Sequence, residues 1–240
     1  MRQSDHRWYL LPSPLLGPAS WRAVSDVLGG LGQQVMVAHP PMTTTADSDH
    51  VTPWIESIAG VPAPSDDLPV VVVGHSAACP RVPMATARLI ERGWNVSALV
   101  CVDGRFPDGR PFTATDSYGA MLDGLVHPDG YLPPWPRWWG SLVEGLVVDP
   151  VARDQVFSEA RPVPRGYFDQ GCPVPTLPEE VGRAFLSFGP GYEEACNQAH
   201  LERWMTYRLV GDHLHQVVEP AAVAATLMAM VSCMEAGRAT

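Results

Sequence analysis

The run Val70-Val71-Val72-Val73-Gly74-His75-Ser76-Ala77-Ala78-Cys79-Pro80 sets a serine where it could act as a nucleophile. The four valines read as a buried strand, and an apolar, periodic stretch follows the serine. Strand, sharp turn and helix in that order make a nucleophile elbow, which strains the serine and exposes its Oγ at the end of a sheet. Small residues are needed two positions before and after it, because the strand and helix backbones pass close together. Gly74 and Ala78 meet that need, with alanine where the usual G-x-S-x-G pattern has glycine. The competing reading is an ordinary strand-to-helix turn. A serine hydroxyl is a weak nucleophile until an imidazole takes its proton. The imidazole needs an anion behind it, and the oxyanion that forms needs two N–H donors.

The elements around the serine imply a parallel sheet. Trp8–Leu11 and Val35–Ala38 read as strands, with a helix from Trp21 to Leu28 between them and Ser20 as its N-cap. The polar stretch Thr43–Asp49 reads as a loop, and Trp54, Ile55, Ile58 and Ala59 mark a second helix. After the serine come a helix over Val82–Arg92 and a buried strand over Val96–Val102. The alternation resumes late, with strands at Ala184–Phe188 and Tyr207–Val210 and helices at Tyr192–Glu202 and Ala221–Cys233. Strand–helix alternation of this kind gives a sheet with helices on both faces. Residues 104–183, rich in Pro, Gly and Trp, are too long for a plain loop. They are expected to form an inserted cap, leaving 1–103 and 184–240 as the core. Residues 237–240 are expected to fray.

Near the C-terminus, Leu209-Val210-Gly211-Asp212-His213-Leu214-His215 follows a strand, and Pro220 opens an apolar helix. With this the chain resembles the α/β-hydrolase superfamily over most of residues 8–235. In that superfamily a G-x-H loop after the last strand supplies the base, seven residues before a helix-opening proline. His213 and Pro220 have that spacing and His215 does not, so His213 is the expected base and His215 its rival. The resemblance implies an α/β-hydrolase fold of about six mostly parallel strands. It also implies serine-dependent acyl chemistry through Ser76.

The usual place for the acid is the loop after Ala184–Phe188, but here it reads Gly189-Pro190-Gly191-Tyr192, with no carboxylate before Glu193. A minority of relatives place the acid after the preceding strand, which is Asp103 here. Asp103 is the preferred acid, Glu193 the alternative, and a dyad without an acid is the remaining one. One oxyanion N–H would be that of Ala77. The second should come from the loop after the first strand, where relatives have His-Gly and this chain has Pro12-Ser13-Pro14-Leu15. Pro14 has no N–H, so Leu15 is the candidate. The resemblance implies a pocket-wall, substrate-binding or packing role for His75.

The segment Tyr131–Gly140 carries Trp135, Trp138 and Trp139 among its prolines. Rigid aromatic surface of this kind suits a lid over a bulky, apolar small-molecule substrate. The same tryptophans would serve equally to hold the cap on the sheet. Lactone-forming attack by an internal hydroxyl belongs to the same acyl chemistry. Two alternatives stand beside it: a lyase, cyclase or C–C bond hydrolase using the Ser–His pair for proton transfer, and a ligand-binding protein.

A net charge of −10 argues against nucleic acid and against an anionic membrane surface. The sequence shows no evident run of about 18 apolar residues. The N-terminus lacks the apolar region of a signal peptide, so a cytoplasmic protein is expected. The five cysteines are scattered without a C-x-x-C, and no cofactor or metal site is expected; an Asp212/His213/His215 set has no fourth ligand beside it. All basic residues are arginine and 25 residues are proline, a GC-rich coding bias. Small hydrolases of such composition resemble enzymes of bacterial secondary metabolism. Oligomeric state is not readable.

Overall fold

The computed structural model describes residues 5–41, 49–114 and 116–238. Strand β1 (Arg7–Leu11) leads to α1 (Ala19–Gly30), β2 (Gln34–Val37), α2 (Thr52–Ala59) and β3 (Val70–His75). A 3-10 turn over Ser76–Arg81 runs into α3 (Val82–Glu91) and β4 (Val96–Val102). Then come α4 (Asp116–Asp123), β5 (Tyr131–Leu132), α5 (Ser141–Glu144), α6 (Pro150–Ser158) and β6 (Val163–Pro164). The chain continues through β7 (Gly182–Ser187), α7 (Glu193–Leu201), β8 (Met205–Arg208), α8 (His215–Val218) and α9 (Pro220–Arg238).

Six strands lie in the order β2-β1-β3-β4-β7-β8, every neighbouring pair parallel. The six-stranded sheet expected from the sequence is therefore present. The valines of β3 explain themselves by the pleat. Val70 and Val72 pack into the apolar layer that includes α2 and α3, and Val71 and Val73 into the layer beneath α1 and α9. A central parallel strand covered on both faces needs apolar residues at every position. Each such burial stabilises the fold by about 1.5–3 kcal/mol relative to exposure.

The stretch between β4 and β7 builds a third apolar cluster, with Leu122, Leu132, Val143, Val156 and Phe168 at its centre. That cluster reaches the sheet layer through Leu15, Leu16, Ala77 and Leu214. β5 and β6 pair antiparallel within it. Glu159, just after α6, accepts the backbone N–H of Ala19 at 2.7 Å and so satisfies the first turn of α1.

Several local expectations change. Ser20 is not the N-cap of α1: it lies inside the helix and donates its Oγ–H back to the Gly17 carbonyl at 2.7 Å. The elbow does not enter an α-helix directly, because the 3-10 turn with Pro80 inside it comes first. β8 starts and ends two residues earlier than its apolar pattern suggests, and Val210 lies almost wholly in solvent. An edge strand has fewer buried positions to announce it. α9 is, by length and composition, apolar enough to cross a membrane, which corrects the expectation of no such run. Its residues Val223, Leu227, Met230 and Val231 are packed on the sheet. Gly237 is still within α9. The expected loop from Thr43 lies outside the described residues except for Asp49, and so do Ala239 and Thr240.

Candidate active site

Ser76 is the first residue after β3, and its φ of 57° is in the left-handed region. A non-glycine residue held there carries about 1–3 kcal/mol of strain, which surrounding structure must enforce. The small neighbours do so. A Cβ on Gly74 would overlap the Val82 side chain and meet the Ala78 Cβ at 3.5 Å. Strand β3 and the turn that follows can approach only because Gly74 has none.

Ser76, His213 and Asp103 form one hydrogen-bonded line. The Ser76 Oγ is 2.9 Å from His213 Nε2, and His213 Nδ1 is 2.7 Å from Asp103 Oδ2. A carboxylate accepts only, so Nδ1 carries the proton and Nε2 is free to accept the serine O–H. The other Asp103 oxygen accepts the Phe188 N–H at 2.8 Å, and the Asp103 N–H donates to the Leu186 carbonyl at 2.7 Å. The acid thus bridges the ends of β4 and β7. It too has positive φ, 41°.

The residue after it, Gly104, shows how the acid gets close. A Cβ there would overlap the Ser76 carbonyl and lie 2.6 Å from Cys79 Sγ. Backbone therefore meets backbone between the Asp103 loop and the serine turn.

The two alternatives lie elsewhere. His215 begins α8 with its ring 5.4 Å from the Phe188 ring. Glu193 is 3.1 Å from Arg208 at the surface.

Of the roles expected for His75, the structure fits packing and not substrate binding. It is wholly buried, and its Nε2–H donates to the His213 carbonyl at 2.9 Å. Its ring lies 4.8 Å from the His213 ring, with Trp21 edge-on at 6.1 Å. Burial above all, then the neighbouring imidazole, pushes its pKa down to about 3. His75 is thus a neutral prop under the His213 loop and has no exposed surface for a substrate.

The tryptophans separate. Trp135 has its ring 5.8 Å from that of His213. Trp138 is buried against Phe168 at 5.6 Å and donates its indole N–H to the Pro133 carbonyl at 2.6 Å, so it packs the segment internally. Trp139 is 40% exposed. Of the two roles expected for the tryptophans, Trp138 takes the packing one, and Trp135 has its ring beside the histidine.

The donor side of Ser76 is thinner. Ala77 lies in the first turn of a 3-10 helix, where N–H groups have no intrahelical acceptor. The buried Arg81 donates to the Ala77 carbonyl at 3.0 Å, and its guanidinium sits 4.3 Å over the Tyr167 ring. Leu15, expected to offer the second N–H, donates it to Ser13 Oγ at 3.3 Å. The next two N–H groups, of Leu16 and Gly17, both go to the Ser13 carbonyl at 3.0 and 3.2 Å. Pro14 has none to give.

Tyr192, which sequence reasoning passed over, stands at the opening. Its ring lies 5.4 Å from the His213 ring. Burial, with Asp103 and Tyr118 adding to it, pushes its pKa far up, so the phenol stays protonated. Tyr192 also lines a cleft of about 450 Å³ with Arg105, Phe106, Phe112 and Tyr118. Arg105 and Arg110 both pair with Asp108 at its edge. The only sequence signal for Tyr192 was the carboxylate-free Gly189-Pro190-Gly191 turn before it.

A six-stranded parallel sheet with a strained serine after its third strand, and a histidine loop after its last, is the α/β-hydrolase fold. Solved structures bear this out. A tomato methylketone synthase I variant complexed with β-ketoheptanoate superposes with a TM-score of 0.69 at 16% identity, over 96% of this chain and 99% of that one. An extracellular α/β-hydrolase from a Paenibacillus species gives 0.64 at 14%, over 94% and 99%. A mutant polyneuridine aldehyde esterase gives 0.68 at 16%, over 95% and 99%. At these identities the likeness is one of fold. No protein-family model and no curated protein sequence matches the chain.

Proposed function

We propose that the protein is a serine-dependent acyl hydrolase or acyl transferase acting on an ester, thioester or lactone with a bulky apolar group. Ser76 attacks the acyl carbon while His213 takes its proton, and Asp103 stabilises the imidazolium. His213 then returns the proton to the leaving group. Water or an internal hydroxyl releases the acyl group from Ser76. The N–H of Ala77 is one oxyanion donor. Residues 104–183 act as the cap, and the cleft beside Tyr192 takes the acyl or leaving group.

The observation that carries this reading is the unbroken line of hydrogen bonds at 2.9 and 2.7 Å, on a serine with positive φ. The experiment is intact mass after exposure to a fluorophosphonate. One adduct per chain is expected, lost in Ser76→Ala and in His213→Ala. A folded wild type that takes no adduct overturns the reading.

One observation favours a second reading. In the loop after β1, Pro14 has no N–H and those of Leu15, Leu16 and Gly17 turn on Ser13, which leaves the oxyanion side fewer donors. Losing one donor costs about 10²–10³-fold in a measured case. A cyclase, lyase or C–C bond hydrolase that uses Ser76 and His213 for proton transfer depends less on that side. It would turn over its substrate without a trapped acyl-enzyme.

A further inference from the structure

We propose that Arg81 is a positioning residue, whose buried guanidinium holds the carbonyl of Ala77 and so fixes the residue that offers its N–H to the substrate oxygen. The inference rests on the proposed serine nucleophile and adds what keeps the oxyanion donor in place.

Three observations converge on it. The first is a donor missing from the turn itself. In a 3-10 helix the carbonyl of residue 77 would accept the N–H of residue 80. Residue 80 is a proline inside the Ser76–Arg81 turn, and it has no N–H. The Arg81 Nη1–H, 3.0 Å from the Ala77 oxygen, takes its place. The second is cost. Arg81 is 1% exposed, its Nε–H has no partner, and no carboxylate pairs with it among the described residues. A buried charge without a counter-ion is expensive to keep. Its one hydrogen bond among the described residues goes to Ala77, while its cation sits over the Tyr167 ring at 4.3 Å. The third is that the other side of Ala77 is held as well. The Ser76 carbonyl belongs to the same peptide as the Ala77 N–H, and it lies so close to Gly104 that a Cβ there would overlap it. Ala77 is thus fixed from both ends, by backbone contact on one and by Arg81 on the other.

An oxyanion donor works by being aimed before the charge develops. Ser76 has positive φ, so the turn that starts with it is strained and gains by relaxing. A buried carbonyl left without a donor would add to that tendency, because rotating the Ala77–Ala78 peptide could relieve it. Arg81 removes the incentive. Tyr167 and Ala77 belong to the same apolar cluster, built mainly by the segment between β4 and β7. The guanidinium is therefore held between the serine turn and that segment. It stays charged throughout, gives up no proton and acts through Ala77 alone.

The test is the rate of fluorophosphonate labelling, read by intact mass, for the wild type, Ser76→Ala, Arg81→Met, and Arg81→Met combined with Pro80→Ala. Methionine keeps much of the buried volume and removes the donor. Arg81→Met is expected to lower the maximal labelling rate by about 10- to 100-fold, the upper figure being the cost of a 1 Å misplacement, with the half-saturating probe concentration unchanged. Alanine at position 80 returns an N–H to the turn, so the double variant is expected to label within about threefold of the wild type. A role in packing alone would not be repaired by Pro80→Ala, so a double variant as slow as Arg81→Met overturns the proposal. Labelling of Arg81→Met at the wild-type rate overturns it too, and both results leave the serine nucleophile standing. Should Arg81→Met not fold, the double variant decides: near-wild-type labelling supports the proposal, and slow labelling or a second failure to fold overturns it. A wild type that takes no adduct, or an adduct that persists in Ser76→Ala, overturns the nucleophile and the proposal with it.

Discussion

The two sides of Ser76 are built to different standards. On the His213 side the polar side-chain atoms of the triad are joined in sequence: Oγ to Nε2, Nδ1 to Asp103, and the second carboxylate oxygen to the Phe188 N–H. On the β1 side the loop satisfies itself, with Ser13 collecting the N–H groups of Leu15, Leu16 and Gly17. Activating a nucleophile and stabilising an oxyanion are separable contributions. This molecule has the first in full and only part of the second in its backbone.

The largest expected effect tests the complete side. Asp103→Asn should lower the labelling rate about 10⁴-fold, the cost of the same change in a well-studied triad, where asparagine holds the wrong tautomer. A loss below tenfold would mean that the line is not the working acid–base unit, and the contrast between the two sides would collapse.

The next tests how that side is held. Gly104→Ala places a methyl where the Ser76 carbonyl and Cys79 Sγ already are. Either the acid loop or the serine turn must retreat. Labelling is expected to fall by at least about tenfold, with about 1–3 kcal/mol lost in urea unfolding, the range for overpacking a tight site. Wild-type behaviour would show that the two backbones are not in contact.

How much of this could be read beforehand follows from the physics of each residue. Ser76 was legible because a fully buried parallel strand and a tight turn both constrain composition locally. His213 and Asp103 follow strands, so topology alone aligns them on one edge. Tyr192 was not legible, since nothing in Gly189-Pro190-Gly191-Tyr192 says which way the ring swings. The roles of the tryptophans stayed open between lid and packing for the same reason. Composition marked an aromatic cluster, but the direction of each ring depends on Phe168, Pro133 and His213, which are brought near only by folding. His75 looked like a wall because it adjoins the serine. Its burial depends on Trp21, far away in the chain.

A smaller effect concerns that prop. The His75 pKa is pushed down to about 3 by burial, so the folded protein keeps it neutral. The unfolded chain protonates it below about 6.5. From there down toward pH 3 the unfolded state binds the extra proton, and stability falls by up to about 1.4 kcal/mol per pH unit. Above pH 6.5 the residue adds no slope. His75→Phe should therefore be less stable at pH 8, having lost the bond to the His213 carbonyl, yet show a flatter decline between pH 6.5 and 4.5 in urea titrations. An unchanged decline would place the protonated imidazole within the native state.

The smallest effect bears on the incomplete side. Leu15 holds its N–H on Ser13 Oγ at 3.3 Å, a long bond that is easily given up. Ser13→Ala removes that acceptor and leaves the N–H free for a substrate oxygen. A hydrogen bond of this kind is worth about 0.5–1 kcal/mol net, so the labelling rate should rise about two- to fivefold. No rise would show that the Leu15 N–H faces away from Ser76.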